Sequence, residues 1–390
     1  MLNFNFHTPT AVYFGKDTHL QVGKIISDYG YKKIMMQYGK QSIKKSGLYD
    51  QVIASLNEYN IEFVEMGGVE PNPKLDFVNK AIKIARENQV EMILAVGGGS
   101  VIDSSKFTAL GVKYDGNVWD FTSGKAVPQD ALPVGCILTH SAAGSEMSNS
   151  AVLSDPSISK KKGCGSQFNR CKFAILNPEL TYTVSKYQTA CGIVDMMTHT
   201  MERYFTPKPP VEITDSLAES LLRTIIWAGK IAIENTSDYE ARATLMWASS
   251  LSHNNLTDCG RGGSLIVHQL EHAVSGEFDS VAHGAGLAVL YPAWAKYVYK
   301  ANPSRFARFF RNVFGVIEQD DILACEKGVA KMSEYFSGLG MQKKLSDFGI
   351  DIDKLDRLAD LCTNGKTRIL DSQMQLGYNE CKEIFESCYW

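Results

Sequence analysis

The sequence predicts an α/β domain with a mostly parallel sheet over residues 1–185, followed by an all-α domain over residues 186–390. Two observations predict this division. In the first part, short apolar runs rich in β-branched residues alternate with longer amphipathic runs, a pattern typical of parallel strands joined by helices. In the second part, long segments with the apolar spacing of helices follow one another without strand-like runs between them.

Strand-like and helix-like segments alternate in order along the first domain. The strand-like runs are AVYFG (11–15), KKIMMQYG (32–39), IEFVEMGGV (61–69), EMILAVGGGS (91–100) and ALPVGCILTH (131–140). The apolar spacing of helices occurs at 16–30, 48–60, 74–88 and 101–112. Parallel strands need such crossover connections, so we expect helices on both faces of the sheet.

The second domain is predicted to consist of helices alone. Two of its long helical segments are DSLAESLLRTIIWAGKIAIEN (215–235) and EARATLMWASSLSHNNL (240–256). Prolines at 207, 209 and 210 and the glycines between 260 and 263 interrupt the helical spacing. We therefore expect the helices to end at these breaks.

Composition argues against several classes of function. A net charge of −3 over 390 residues, without basic clusters, predicts no nucleic-acid partner and no polybasic membrane surface. Nine cysteines occur without a CxxC pair, which disfavours a disulfide framework and a structural zinc knuckle. The N-terminus lacks the pattern of a signal peptide, and no apolar run approaches membrane-spanning length. We therefore expect a cytoplasmic protein without a membrane partner.

A run of glycines follows the strand predicted at 91–100. Gly97, Gly98, Gly99 and Ser100 precede a predicted helix, so backbone N–H groups and the positive end of the helix would face an anion such as a phosphate. Asp103 is predicted in the first helical turn, where it can cap the helix. A tight turn without a ligand explains the same residues. Neither a GxGxxG fingerprint nor a Walker lysine is present.

Two further loops follow predicted strands and are candidates for cofactor contacts. No acidic residue follows the strand at 32–39, and Gly39, Lys40 and Ser42 could accommodate a 2′-phosphate, which favours NADP(H) over NAD(H). Alternatively, Lys40 is a solvated loop residue. The small residues at 139–146 would allow the backbone to approach a ring or a phosphate, and His140 is interpreted as a loop residue.

Asp195 and His199 are the first candidate metal ligands. Their four-residue spacing places both side chains on one face of a helix. The surrounding run GIVDMMTHTMERYF is apolar nearly all round, so this helix is predicted to be buried. A buried carboxylate and imidazole need a compensating charge, and a divalent cation would supply it. Such pairs also occur as surface or capping pairs without a metal.

Three more histidines lie in the segment from His268 to Gly286. His268 and His272 share one helical face, and His283 follows a break in the helical pattern. Together with Asp195 and His199, these imidazoles are sufficient to bind a divalent transition metal. Gln269 replaces the glutamate of an HExxH motif, which disfavours a metalloprotease. His253 is interpreted as structural.

The motifs GIVDMMTHTMERYF, ATLMWASSLSHNNLTDCGRGGSLIVHQLEH and AHGAGLAVLYPAWAKY closely resemble the iron-containing (group III) alcohol dehydrogenases, as do VEPNP, AVGGGSVIDSSK and AGSEM. Within that family, the motifs most resemble the butanol dehydrogenase branch. The resemblance spans essentially the whole chain. It implies a Rossmann-like N-terminal domain and a helical C-terminal domain, the dehydroquinate synthase-like architecture, with cofactor and metal in the cleft between them. It also implies a homodimer.

The resemblance also implies a role for individual residues. The implied metal ligands are Asp195, His199, His268 and His283. His272 corresponds to a catalytic histidine beside the nicotinamide that is not a ligand and could relay a proton. The implied pyrophosphate loop consists of Gly97, Gly98, Gly99, Ser100 and Asp103. Thr139 matches the ring-binding segment, Gly39, Lys40 and Ser42 match the 2′-phosphate segment, and Lys161 matches a further lysine that contacts the cofactor.

The activity implied by the resemblance is the interconversion of primary alcohols and aldehydes with NADP(H), or alternatively NAD(H), assisted by Fe²⁺ or Zn²⁺. One carboxylate and three imidazoles suit either metal. Two rival functions remain open at this point: a metal-dependent lyase or synthase of the same fold, and a protein that binds metal or nucleotide without catalysis.

Overall fold

The computed structural model describes all residues from Met1 to Trp390. It divides into two compact units: His7–Val184 forms one, and Ser185–Trp390 together with Met1–Phe6 forms the other. The boundary drawn from sequence did not anticipate that the first six residues belong with the helical unit. Two contacts explain it: the Leu2 N–H donates to the Gly260 carbonyl oxygen at 2.6 Å, and the Met1 side chain packs where Gly260 has no Cβ.

The His7–Val184 unit contains a six-stranded sheet in which every pair of neighbouring strands is parallel. Its strands are β1 (Ala11–Phe14), β2 (Lys33–Tyr38), β3 (Glu62–Gly67), β4 (Met92–Gly97), β5 (Val134–Leu138) and β8 (Phe173–Leu176). Its helices are α1 (Val22–Asp28), α2 (Ser42–Lys45), α3 (Leu48–Glu58), α4 (Leu75–Glu87), α5 (Gly99–Val112) and α6 (Trp119–Ser123). The predicted parallel α/β sheet is confirmed.

The strand order, β1-β8-β5-β4-β2-β3, reverses direction between β2 and β4. The chain runs outward from β2 to β3, then returns to the other side of β2 and continues through β4 and β5. Open parallel sheets bind ligands at the carboxyl ends of the strands beside such a reversal. Gly39 follows β2 and Gly98 follows β4, so two of the predicted cofactor loops lie at this position.

A two-stranded antiparallel hairpin, β6 (Ser150–Asp155) with β7 (Lys160–Gly165), and strand β8 were not predicted. β7 has the sequence KKKGCG, which lacks the β-branched and aromatic residues that favour strands. It forms because β6 supplies its hydrogen-bond partners and because Cys164 and Leu153 pack into a buried apolar cluster. Pairing between distant residues therefore outweighs the low local preference of this segment.

The second unit is helical apart from a two-stranded sheet, β9 (Leu370–Asp371) with β10 (Gln375–Leu376). The prediction of helices alone missed this short sheet. The helices are α7 (Lys186–Tyr204), α8 (Glu212–Glu234), α9 (Tyr239–His253), α10 (Ile266–Glu277), α11 (His283–Val298), α12 (Pro303–Phe314), α13 (Asp321–Gly338), α14 (Leu355–Cys362) and α15 (Tyr378–Ser387). None of the helices has both the length and the apolar character needed to span a membrane.

Helix α7 lies at the centre of this unit. The Ser185 side chain caps its N-terminus by accepting a hydrogen bond from the Gln188 N–H, and every residue from 189 to 204 is buried. It packs against α8, α9 and α11. At the crossing with α11, a Cβ on Gly284 would lie 2.2 Å from the Cys191 carbonyl oxygen, so only glycine permits this approach. The crossing brings the first residue of α11, His283, close to α7.

Candidate metal and cofactor sites

Four side chains from three helices converge in the helical unit. Asp195 and His199 lie on α7, His268 lies on α10, and His283 begins α11. The Nε2 atoms of the three histidines lie 3.3, 3.5 and 3.9 Å from Asp195 Oδ1, in that order. We refer to these four residues as the Asp195 cluster.

The donor atoms of the Asp195 cluster fit a divalent cation. Asp195, His199 and His268 are buried and offer ligand atoms within 4.8 Å of one another. Asp195 Oδ1 and His268 Nε2 are buried without a hydrogen-bond partner, which is costly unless another group binds them. Metal bonds of about 2.0–2.2 Å place neighbouring ligand atoms about 3–3.6 Å apart. Two of the three separations from Asp195 Oδ1 lie in this range, and the third exceeds it slightly.

Two buried carboxylates hold the far sides of two cluster histidines. Glu202 accepts a hydrogen bond from His268 Nδ1, and Glu271 accepts one from His283 Nδ1. Such contacts leave Nε2 of each ring with its lone pair directed toward the cluster, and they increase the basicity of the ring. Sequence analysis missed both glutamates. One sequence signal could have identified Glu202: it follows Asp195 by two helical turns, in a helix that was predicted to be buried.

The buried charges shift the protonation of the cluster histidines in opposite directions. Burial lowers the pKa of His268, but the carboxylates of Glu202 and Asp195 outweigh burial and raise it to about 9. Burial, followed by the neighbouring His253 and His268, lowers the pKa of His199. Of these two rings, His268 therefore holds a proton more readily than His199 when no metal is bound.

His272 and His253 lie beside the Asp195 cluster. The His272 ring is half-buried, with its centroid 5.5 Å from that of His283 and 6.3 Å from that of His268. His253, interpreted as structural from sequence, ends α9, and its Nδ1 lies 3.0 Å from His199 Nε2. The structure therefore places both histidines against the cluster.

The glycine run occupies the strand-to-helix connection from β4 to α5. Gly97 ends β4, Gly98 is the N-terminal cap residue of α5, and Gly99 and Ser100 form its first turn. The Thr139 N–H donates to the Gly97 carbonyl oxygen at 3.0 Å, which joins this turn to the loop after β5. A Cβ on Gly98 would lie 3.2 Å from the Cβ of His140, so the missing side chain makes room for that loop.

The prediction that Asp103 caps α5 is wrong. The helix begins at Gly99, has no acidic residue in its first turn and no side-chain cap. The Asp103 carboxylate instead accepts hydrogen bonds from Ser145 Oγ at 2.6 Å and the Val152 N–H at 2.9 Å. Burial raises the pKa of Asp103, while Lys106, Ser145 and Val152 act in the opposite direction. Asp103 therefore anchors the loop after β5 and the β6–β7 hairpin to α5.

The remaining predicted cofactor residues lie in the same unit. Gly39 and Lys40 follow β2, and Ser42 begins the short helix α2. Lys40 Nζ lies 2.8 Å from a carboxylate oxygen of Glu70, and both side chains are exposed. Lys161 is buried on β7, and its charge offsets a part of the rise that burial causes in the pKa of Asp103.

A parallel α/β unit with a glycine turn, joined to a helical unit that carries one aspartate and three histidines, is the combination expected of a metal-dependent enzyme that uses a nucleotide cofactor. The family model described as iron-containing alcohol dehydrogenase matches residues 9–178. The model for the C-terminal domain of the Fe-containing alcohol dehydrogenase family matches residues 189–389. The chain belongs to the iron-containing alcohol dehydrogenase family.

Individual members of this family show which of its enzymes the chain is similar to. The chain is 42% identical to NADH-dependent butanol dehydrogenase A of Clostridium acetobutylicum, over 100% of each chain. It is 34% identical to NADPH-dependent aldehyde reductase YqhD of Escherichia coli, over 90% of each chain. The crystal structure of NADH-dependent butanol dehydrogenase A from Thermotoga maritima matches with a TM-score of 0.96 at 39% identity, covering 100% of this chain and 99% of that one.

These comparisons confirm the predicted family, fold class and class of reaction. The protein is an oxidoreductase of the NAD(P)-dependent alcohol dehydrogenase and aldehyde reductase class, and it is butanol dehydrogenase-like. Family membership also implies a divalent metal and a nicotinamide cofactor. The lyase and the non-catalytic binding protein are thereby disfavoured.

Proposed function

We propose that the enzyme interconverts primary alcohols and aldehydes of about the size of butanol and butyraldehyde by hydride transfer with NADP(H). The single observation that carries the proposal is the convergence of three imidazole nitrogens on one buried oxygen of Asp195. The divalent cation, Fe²⁺ or Zn²⁺, would be held by Asp195, His199, His268 and His283.

A bound divalent cation would act there as a Lewis acid toward the alcohol or carbonyl oxygen of the substrate. The nicotinamide would supply or accept the hydride. The protein's own part is to present deprotonated nitrogen ligands in a fixed orientation. Glu202 and Glu271 do this by holding Nδ1 of His268 and His283, so that both Nε2 atoms stay directed at Asp195 Oδ1.

His272 is proposed as the catalytic group that exchanges a proton with the substrate hydroxyl. Its ring centroid lies 5.5 Å from that of His283, and its side chain is half-buried, so it borders the cluster and keeps some exposure to solvent. A side chain at such a position can carry a proton between a reacting oxygen and water. Replacing His272 with glutamine should lower kcat and leave the metal content unchanged. Unchanged kcat would contradict this role.

NADP(H) is proposed as the cofactor because of the loop after β2. Lys40 could bind a 2′-phosphate with Gly39 and Ser42, and no acidic residue stands among them to bind a ribose 2′-hydroxyl. Glu70 pairs with Lys40 and partly neutralises it. We therefore expect Lys40→Ala to raise KM for NADPH more than KM for NADH, and Glu70→Gln to lower KM for NADPH. Equal changes of KM for NADPH and for NADH would contradict the preference for NADP(H).

The proposal as a whole is tested by assaying a series of aldehydes from two to eight carbons with NADPH and with NADH, together with elemental analysis of the isolated protein. We expect the highest kcat/KM near four carbons and one equivalent of metal per chain. His268→Ala should abolish turnover and metal content, whereas the exposed Glu212→Gln should leave both intact. Full aldehyde reduction by His268→Ala would refute the metal mechanism.

The cytoplasmic location and the homodimer also remain proposals. The homodimer is proposed because the chain resembles a family of dimeric enzymes. Sedimentation of the purified protein at micromolar concentration would show a single species of twice the chain mass if the proposal is correct. A species of one chain mass would contradict it.

A further inference from the structure

His199 differs from the other two histidines of the Asp195 cluster. Glu202 holds Nδ1 of His268 and Glu271 holds Nδ1 of His283, whereas His199 Nδ1 is buried without a hydrogen-bond partner. No carboxylate therefore sets the tautomer of His199. Its contact is made through the opposite nitrogen instead: Nε2 lies 3.0 Å from Nδ1 of His253.

The same nitrogen is the one that faces the cluster. His199 Nε2 lies 3.3 Å from Asp195 Oδ1, so it is the atom that would coordinate the cation. A neutral imidazole nitrogen has either one lone pair or one proton. If His253 Nδ1 donates the hydrogen bond, the lone pair of His199 Nε2 is already engaged. If His199 Nε2 donates, it carries a proton. In both tautomers, this hydrogen bond and a metal bond to His199 exclude each other.

We propose that His253 competes with the metal for His199 Nε2. The enzyme therefore binds its cation less tightly, and releases it faster, than it would with an apolar residue at position 253. The inference rests on the metal site proposed above. His253 is buried, and its ring centroid lies 3.8 Å from that of His199. It is the last residue of α9, which packs against α7, so its ring is held next to His199. The competing contact is therefore built into the packing of the two helices.

The geometry makes His253 a competitor and not an additional ligand. The three ligand histidines, His199, His268 and His283, each place Nε2 within 3.9 Å of Asp195 Oδ1, whereas the contact of His253 is made with His199 Nε2. A competitor and a ligand have opposite effects on affinity, because removing a competitor tightens metal binding and removing a ligand weakens it.

Metal-free wild type, His253→Leu and His253→Gln would be titrated with Co²⁺ and Zn²⁺ against a chromophoric chelator. A net hydrogen bond corresponds to about a 2- to 10-fold change in an equilibrium constant, so His253→Leu should lower Kd by that factor and slow metal release to EDTA. The visible spectrum of the Co²⁺ protein should not change, because the ligand set is the same. His253→Gln retains an N–H donor and should give a Kd between those of His253→Leu and the wild type.

Ser252→Ala is the matched control, since Ser252 is buried on the same helix and donates to the Ser249 carbonyl oxygen. Its Kd should equal that of the wild type. An unchanged Kd in both His253 variants would overturn the proposal, as would a weaker Kd with an altered Co²⁺ spectrum, which would make His253 a ligand. If His253→Leu does not fold, the Kd of His253→Gln tests the proposal alone, and it should be lower than that of the wild type. Failure of the wild type to bind one Co²⁺ would instead refute the metal site itself.

Discussion

At the scale of single residues, Glu202 is the side chain whose role is most sharply defined by its contacts. It accepts hydrogen bonds from His268 Nδ1 and from the backbone N–H of Val267. It therefore orients one histidine of the Asp195 cluster and ties the first turn of α10 to α7. Its burial leaves no water to replace either contact.

Glu202→Gln keeps an acceptor oxygen but removes the charge, so it should weaken the hold on His268 without creating a cavity. Carboxylates that orient metal-bound histidines contribute about 10- to 100-fold to metal affinity, and we expect the Kd for Zn²⁺ to rise by that factor. Competition with a chelator measures this change. Glu212→Gln, at an exposed position of α8, is the control and should leave Kd unchanged. Equal Kd values for both variants would contradict the role of Glu202.

Protons should compete with the metal at His268. Because its pKa in the metal-free protein is about 9, this ring is cationic at neutral pH and must lose a proton before it can bind a cation. The Kd should therefore rise about tenfold for each unit by which pH falls below 9. The check is a set of Zn²⁺ titrations between pH 7 and pH 8.5. A Kd independent of pH would show that His268 is neutral before binding.

At the scale of elements, the crossing of α7 and α11 determines where His283 stands. Gly284 allows the backbones to approach, and His283 precedes it directly. The position of one cluster histidine thus depends on a residue that bears no functional group. In the His7–Val184 unit, another glycine has a similar role: Gly98 leaves room for the loop that contains His140.

Gly284→Ala should destabilise the protein, because its Cβ would lie 2.2 Å from the Cys191 carbonyl oxygen and the helices must separate. Overpacking of this kind costs about 1–3 kcal/mol of unfolding free energy. Denaturant unfolding measures the loss, and metal affinity should fall with it because His283 is displaced. Gly338→Ala serves as the control, since nothing lies within 4 Å of its added Cβ on α13. Similar unfolding curves for both variants would refute the argument.

At the scale of the whole molecule, the two candidate sites lie on separate units. All four residues of the Asp195 cluster belong to the Ser185–Trp390 unit, and the glycine turn belongs to the His7–Val184 unit. Binding of metal and binding of nucleotide should therefore be separable.

Removal of metal with EDTA should lower the melting temperature, and added Zn²⁺ should restore it. A cation at one hundred times its Kd stabilises a folded protein by about 2.7 kcal/mol when it does not bind the unfolded chain. The metal-free protein should still bind NADPH, as followed by nucleotide fluorescence. Asp195→Asn should show no response of melting temperature to Zn²⁺. Loss of NADPH binding together with the metal would contradict the separation of the two sites.

The amino-acid sequence by itself determined the features that depend on neighbours along the chain. Alternating apolar runs predicted the parallel sheet and the helical unit, and the four-residue spacing of Asp195 and His199 placed both on one face of α7. Periodicity carries this information because side chains on one helix or strand are positioned by local backbone geometry. The clustering of histidines between His268 and His283 supplied three further candidates, and the resemblance to a family then implied His268 and His283 as ligands and His272 as a non-ligand.

Only the tertiary structure decided which distant residues meet. The contacts of Glu202 with His268, of Asp103 with Ser145 and of His253 with His199 join residues that are 66, 42 and 54 positions apart. The hairpin β6–β7 likewise exists because its strands pair with each other. Such contacts follow from how helices and strands pack, and no local spacing encodes them. For that reason the sequence predicted the residue types of the Asp195 cluster, while its orienting carboxylates and its competing histidine emerged from the fold.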